Sequence, residues 1–430
     1  MTLFLDVTRT AGRCGRSTPV GIDRVEYAYA REIFLESDPA DVYGILTTPW
    51  LSGAVAGKRV GEILRGVEAA WGLESPPSAD PVYTQLKAWL ATPLDAQAPH
   101  PKRFAGAQAS RLKIADVARL PFGDLARSRS RLRAAAGAAG PSGAYLHVSH
   151  LLLGKPEAFS WAMKAGVKRA FMVHDAIPNE FPEFCKPGRD VAHLARLRNV
   201  ASLASMILTI SKASADAIAA ISRENGWRAP PIVVNPLGVD PWFLDRARLD
   251  PPKPDIPYFL CVGTIEPRKN LAFLLLAWRR LAETLGERTP RLVLVGRRGW
   301  ENENIVDMLE RSRRLGPYVA EVADLTDAGH QRGEAGARAL LAPSLAEGFG
   351  LPVVEALALR TPVVACDIPA HREAGGVYAD YIDGVDGAGW MRAVEGLASG
   401  GSPIAPPGFV AKTWGAHVRE SLAALAGGAG

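Results

Sequence analysis

The chain lacks the patterns that would place it in several large classes. Its four cysteines, Cys14, Cys185, Cys261 and Cys366, show no pairing rhythm, no CxxC and no Cys/His cluster. That scatter speaks against a disulfide framework or a structural zinc site and fits free thiols in a reducing compartment. No apolar run approaches the ~20 residues of a transmembrane helix. The opening MTLFLDVTRT has neither the basic region nor the apolar core of a secretory leader. A cytoplasmic protein is expected, working from the surface if its substrate is in a membrane. No GxGxxG follows the first apolar run, which disfavours a dinucleotide-dependent oxidoreductase.

What is present suits a two-domain globular protein. The 430 residues are too many for one ordinary domain, and 48% are hydrophobic. The net charge is +5 and unevenly spread. Between Lys102 and Arg133 lie nine Lys or Arg against two acids, Asp116 and Asp124. This basic patch points to an anionic partner or to a solvated insertion. A lipid surface fits the first case better than nucleic acid, because few aromatics interleave the cations.

Short apolar runs alternate with helix-like stretches, the α/β pattern of a parallel sheet wrapped in helices. The first half reads as strands at Leu3–Val7, Val42–Leu46, Tyr145–Val148, Arg169–Val173, Met206–Ile210 and Ile232–Val234. Asp250–Pro257 then holds four prolines in eight residues, a stiff linker. Strands restart at Tyr258–Val262, Leu292–Val295, Ala339–Ala342 and Val363–Cys366. The expected domains are 1–240 and 257–405, joined by 241–256, with a helical insertion in the first domain over about 51–143. Residues 406–430 are expected to form a last helix and tail that can cross back to the first domain. Ligands of open parallel sheets bind beyond the carboxyl ends of the strands, so the cleft is where chemistry is sought.

Two segments stand at such strand ends. Pro343–Ala356 reads PSLAEGFGLPVVEA, with Glu347 before a glycine turn and Glu355 one turn into the following helix. Free N–H groups at that helix start suit an anion, and ionised carboxylates accept hydroxyls. The spacing alone fits one exposed acid and one helix-face acid equally well. Val262–Asn270 reads VGTIEPRKN and also opens a helix. Cations there are unfavourable for the helix, so Arg268 and Lys269 call for an anionic partner, the alternative being two solvated surface cations.

Together these segments resemble the signature of the glycosyltransferase group 1 family, which includes bacterial α-mannosyl- and glucosyltransferases and sucrose synthase. EGFGLPxxE matches from Glu347 to Glu355, VGTxEPRKN from Val262 to Asn270, and a later Gly-Trp at Gly299-Trp300. In the first half, Phe171–Pro178 resembles the family's HDxIP segment, and Thr18–Val25 its first glycine loop. The resemblance implies the GT-B fold, two Rossmann-like domains with parallel sheets facing across a cleft. It also implies a retaining enzyme that uses a nucleotide diphosphate sugar.

Carried over, Glu347, His174, Arg268 and Lys269 are the catalytic candidates. Gly263, Thr264, Gly348, Phe349, Gly350, Leu351, Glu355 and Gly21 join Arg268 and Lys269 in donor binding, with Glu355 on the ribose. Ser149, His150, Asp175 and Arg24 are weaker candidates for the acceptor side. The base is expected near Gly296–Trp300 and Leu325. No DxD triplet occurs, which argues against a metal-chelating GT-A enzyme, so neither metal nor cofactor is expected. The EPRKN and HDxIP variants resemble mannosyltransferases of bacterial polysaccharide assembly. GDP-mannose is therefore the first donor expected, ahead of UDP-glucose, UDP-N-acetylglucosamine and dTDP-rhamnose. The expected acceptor is a saccharide or a polyprenyl-diphosphate-linked saccharide, reached from the inner face of the plasma membrane. The rival readings are a GT-B sugar-nucleotide epimerase and a catalytically silent sugar-nucleotide-binding protein.

Overall fold

The computed structural model describes residues 1–430 except 14–20, 37–40, 50, 72–79, 96–97, 99, 107–124, 246–248, 401–406 and 428–430. Most of the basic segment and residues Thr18–Val20 of the first glycine loop therefore lie outside the described residues. Among the described residues no helix is long and apolar enough to cross a membrane.

Strands β1 (Leu3–Asp6), β2 (Val42–Thr47), β3 (Ser52–Ala56), β4 (Lys102–Ala105), β5 (Ala144–His147), β6 (Lys168–Val173) and β7 (Met206–Thr209) precede β8 (Ile232–Val234). The second half carries β9 (Tyr258–Val262), β10 (Arg291–Val295), β11 (Val319–Ala323), β12 (Leu340–Ala342), β13 (Val363–Cys366) and β14 (Asp380–Ile382). They form two seven-stranded sheets, ordered β3-β2-β1-β5-β6-β7-β8 and β14-β13-β12-β9-β10-β11-β4. Every pairing is parallel except β2 with β3. Parallel strands are covered by helices on both faces, which is why they read as continuous apolar runs. β1, β5, β7, β12 and β13 are buried at every position.

The structure corrects the expected insertion. Residues 51–143 are not a helical addition to the first domain alone. β3 joins the first sheet by pairing with β2, whereas β4 adds the outer strand of the second sheet, Lys102–Ala105 against Ala320–Ala323 of β11. The helix Pro81–Ala91 goes with β4. Asp80 caps it through the N–H groups of Val82 and Tyr83, and its other oxygen accepts from Thr326 of the second domain at 2.9 Å and 2.7 Å. Arg291 is 1% exposed and donates to the carbonyls of Trp89, Leu90, Thr92 and Pro93 while stacking over the Trp89 ring. A buried guanidinium needs such a set of acceptors, and here they come from the arm of chain that carries the helix Pro81–Ala91 and β4.

A second tie runs the other way. The helix Trp414–Gly427 lies on the helix Gly21–Phe34 of the first domain, where Tyr29 Oη meets His417 Nε2 at 2.9 Å and Ser421 Oγ at 2.6 Å. Asn235 Nδ2 donates to the His417 carbonyl at 2.9 Å. Buried apolar side chains run without a break from β1 and β2 through Leu237, Val239 and Phe243 to Phe349 and Val353. The domains thus share a core at the base of the cleft.

Candidate functional site

In the second sheet the strand order reverses between β9 and β12, and the two motif segments leave these strands side by side. A crevice at such a reversal is where ligands of open sheets sit. Gly263 follows β9 with φ of 145°, and a Cβ there would lie 2.6 Å from Lys269 Cε. A single helical turn, Pro267–Lys269, then carries Arg268 and Lys269 back over the crevice before Asn270 opens the helix Leu271–Leu285.

Both cations meet Glu347. Lys269 Nζ donates to its Oε1 at 2.5 Å and Arg268 Nη1 to its Oε2 at 2.6 Å. Arg268 Nε also stands 2.5 Å from Glu266 Oε1. Burial would raise the Glu347 carboxyl, but the charges of Arg268 and Lys269 outweigh it and hold the group well below the usual range. Glu266 is pushed up by burial despite the same two cations. The anionic partner that Arg268 and Lys269 call for is thus supplied, before any ligand, by carboxylates of the chain itself.

Glu347 leads into Gly348-Phe349-Gly350. Gly350 has φ of 101° and caps the helix Leu351–Ala358, with Pro352 in its first turn. Gly348 is one point where the domains touch. A Cβ there would lie 2.9 Å from the His174 carbonyl, and Ser211 Oγ donates to the Gly348 carbonyl at 2.6 Å. One turn into the helix, Glu355 is buried against Arg24, whose Nη1 is 3.9 Å away. Arg24 also pairs with Asp327 and approaches Asp240 at 4.0 Å. Burial pushes the Glu355 carboxyl up to about 8; Arg24 opposes this, and Asp240 and Asp327 add to it. Behind it Glu334, fully buried, has neither carboxylate oxygen hydrogen-bonded. Burial first and Glu355 second hold it far above its ordinary value.

From the first domain, His174 follows β6. Its Nε2 is 2.8 Å from the Val148 carbonyl. A carbonyl only accepts, so Nε2 carries the proton and Nδ1 keeps its lone pair. Burial holds the ring below its ordinary pKa and hence neutral. Asp175 Oδ1 accepts from the Ile177 N–H at 3.1 Å and fixes the turn.

Two cavities meet at these groups. One, of about 350 Å³, is lined from the second domain by Gly263, Thr264, Lys269, Phe349, Gly350, Leu351 and Glu355 and from the first by Gly21 and Arg24. The other, of about 420 Å³, opens toward the first domain and is lined by His150, Arg189, His193, Arg196 and Trp300. His174, Asp175, Arg268, Glu347 and Gly348 line both.

Most of the sequence candidates therefore converge. Arg24 sits beside Glu355 and lines the first cavity but not the second, because the helix Gly21–Phe34 runs along that wall. Ser149 is fully buried and faces neither cavity; its Oγ accepts from the Leu151 N–H at 3.4 Å, a turn role. Trp300 separates from the rest of its expected group. Gly296 and Leu325 line the first cavity, whereas Trp300 lines the second and donates to the Phe184 carbonyl at 3.2 Å. Sequence reasoning missed Asp240, Asp327, His330 and Glu334 around Glu355, and the basic face Arg189–Arg196. Only the latter carried a readable signal, its helical spacing.

Residues 256–398 match the family model described as Glycosyl transferases group 1. The chain is 30% identical over 248 residues to the serotype-specific mannosyltransferase WbdA of Escherichia coli, an alignment covering 54% of this chain and 30% of that protein. It is 38% identical over 119 residues to the O-antigen chain mannosyltransferase B of Escherichia coli, covering 28% and 31% respectively. The chain thus spans under a third of the length of these relatives. Among solved structures, trehalose-6-phosphate synthase OtsA superposes with a TM-score of 0.54 at 11% identity, covering 99% of this chain and 95% of that one. Anabaena HepE in complex with UDP gives 0.53 at 14% identity, covering 98% and 94%. These likenesses show the fold, the GT-B arrangement of two parallel-sheet α/β domains.

Proposed function

We propose that the chain is a retaining glycosyltransferase, a reading supported by the match of residues 256–398 to the glycosyl transferases group 1 model. It moves a hexose from a nucleotide diphosphate sugar to a saccharide or lipid-linked saccharide, with GDP-mannose the first donor to try. The observation that carries this reading is the meeting of two cavities at Glu347 and His174. A donor in one and an acceptor in the other bring their reacting atoms together there, which removes much of the entropic barrier. The mannosyltransferase relatives support the choice of sugar.

In this reading the first cavity holds the donor. Glu355 takes the ribose. Backbone N–H groups at Phe349, Gly350 and Leu351 face the diphosphate, and Arg268 and Lys269 shift part of their charge from Glu347 to it. Preorganised donors of this kind stabilise charge that develops on a leaving group. Both oxygens of Glu347 are tied up by cations, which makes it a poor nucleophile and a good positioning acceptor for sugar hydroxyls. Transfer is then same-face. The bond from the anomeric carbon to the phosphate oxygen breaks, the acceptor oxygen bonds to that carbon, and the acceptor proton passes to the departing phosphate. His174 Nδ1 accepts from a sugar hydroxyl. No metal is needed in this scheme, so activity should survive a chelator. The basic segment 102–133 serves to hold the protein at an anionic membrane, which salt-sensitive sedimentation with anionic vesicles tests.

Incubation with GDP-mannose and a mannoside acceptor, followed by proton NMR, tests the reaction. A new α-linked product with stoichiometric GDP is expected. A β-linked product refutes retention, epimerised donor without transfer supports an epimerase, and binding without any product supports a silent binding protein.

A further inference from the structure

The cations of the two cavities are treated differently. On the donor side each is matched. Arg268 and Lys269 hold Glu347, and Arg24 holds Asp327. On the other side, Lys186 precedes the helix Arg189–Leu203, and Arg189, His193 and Arg196 follow at i, i+4 and i+7 on one face of it. All four line the 420 Å³ cavity. Among the described residues, none of Lys186, Arg189 and Arg196 forms an ion pair or a hydrogen bond with a carboxylate.

The acids that line this cavity balance them only in part, and none acts on Arg196. Glu347 and Glu266 are engaged with Arg268, and Asp175 is turned to the Ile177 N–H. Arg196 is half-buried, and its guanidinium is driven down by burial and then by the like charge of Arg189. His193 is oriented as well. Asn179 Nδ2 donates to the Asp190 carbonyl at 2.9 Å, so its Oδ1 faces His193 Nδ1, 2.7 Å away. An amide oxygen only accepts, so Nδ1 carries the proton and, with burial keeping the ring neutral, Nε2 is an acceptor open to a hydroxyl rather than to an anion. Arg189, exposed at the rim, and the half-buried Arg196 are like charges on one wall of the cavity, a repulsion that a bound anion relieves.

We propose that the acceptor of this enzyme carries an anionic group, a phosphate or carboxylate, which Lys186, Arg189 and Arg196 bind while the acceptor hydroxyl lies at His174 and Glu347. The inference rests on the reading of the second cavity as the acceptor site. It narrows the acceptor from any saccharide to a charged one. The charge is either a substituent of the acceptor sugar or the diphosphate that links it to a lipid.

Calorimetric titration of the whole chain with four probes tests this: methyl α-mannoside, mannose 6-phosphate, glucuronate and geranyl diphosphate. At least one anionic probe should bind about tenfold or more tightly than the neutral mannoside, as charge-assisted hydrogen bonds do. Preference for the two sugar anions places the charge on the acceptor sugar, and preference for geranyl diphosphate places it on the lipid linkage. The double variant Arg189→Gln/Arg196→Gln should lose that preference while keeping the wild-type melting temperature and the wild-type affinity for GDP-mannose. Equal binding of all four probes overturns the proposal, and so does undiminished anion binding by the double variant. Failure of any nucleotide sugar to bind the wild type speaks instead against the donor assignment.

Discussion

Glu355 offers a quantitative test of the donor site. Its carboxyl is pushed up to about 8, chiefly by burial. An ionised carboxylate is the stronger acceptor for ribose hydroxyls, so the donor should bind the deprotonated form. The proton must then leave on binding at any pH below about 8. At pH 7 about ten molecules in eleven are protonated, so ionising the group costs about 1.4 kcal/mol and weakens the donor about tenfold relative to pH 9. At pH 6 the loss is about a hundredfold by the same arithmetic. Affinity therefore rises about tenfold per pH unit between 6 and 7 and flattens above 9. Calorimetry in two buffers of different ionisation enthalpy reads the released proton directly. A sugar nucleotide is the right probe, because its diphosphate is esterified at both ends and does not titrate in this range. Glu355→Gln should bind more weakly above pH 8 and show neither the slope nor the proton. An affinity flat from pH 6 to 9 in the wild type, or proton release that persists in Glu355→Gln, refutes the reasoning.

Other consequences can be measured alongside. Lys269→Ala leaves Glu347 with Arg268 alone, and transfer should fall about a hundredfold or more, with donor affinity reduced, in a coupled GDP-release assay. Turnover near that of the wild type would remove Lys269 from the mechanism. Gly263→Ala puts a methyl 2.6 Å from Lys269 Cε on a backbone with φ of 145°. Overpacking of that kind costs about 1–3 kcal/mol, read as a lowered melting temperature together with lost activity. Arg291→Met strips the donor from four arm carbonyls, and the loss of about 3 kcal/mol expected for buried charge-assisted bonds should appear as a lower melting temperature and faster proteolysis between residues 80 and 105.

Much of the fold was legible because parallel strands are buried on both faces. The apolar runs at Val363–Cys366 and Tyr258–Val262 could hardly be anything else, and both are strands with those bounds. β4 was not legible. Its sequence, Lys-Arg-Phe-Ala, alternates half-buried and exposed positions at a sheet edge, and its partner β11 lies over two hundred residues away. What places it is Arg291 and Thr326 gripping the arm, contacts that local pattern does not encode. The candidate site divides in the same way. Glu347, Glu355, Arg268 and Lys269 sit in short segments whose glycines and prolines announce a turn at a strand end. The surroundings of Glu355 do not, since Arg24, Asp240 and Asp327 come from three distant stretches of chain. Even Arg268 and Lys269 were only half legible: the residue types announced an anion, but not that Glu347 would be the one they hold.

The central claim is that the crevice around Glu347 and Glu355 holds a nucleotide diphosphate sugar. A thermal-shift screen against GDP-mannose, UDP-glucose, UDP-N-acetylglucosamine and dTDP-rhamnose tests it most directly, since a ligand that binds only the folded state raises the melting temperature. The account predicts that one of them, with GDP-mannose first, stabilises the wild type and that Lys269→Ala and Glu355→Gln each reduce the shift. No shift with any of the four, or the same shift in both variants as in the wild type, would contradict it.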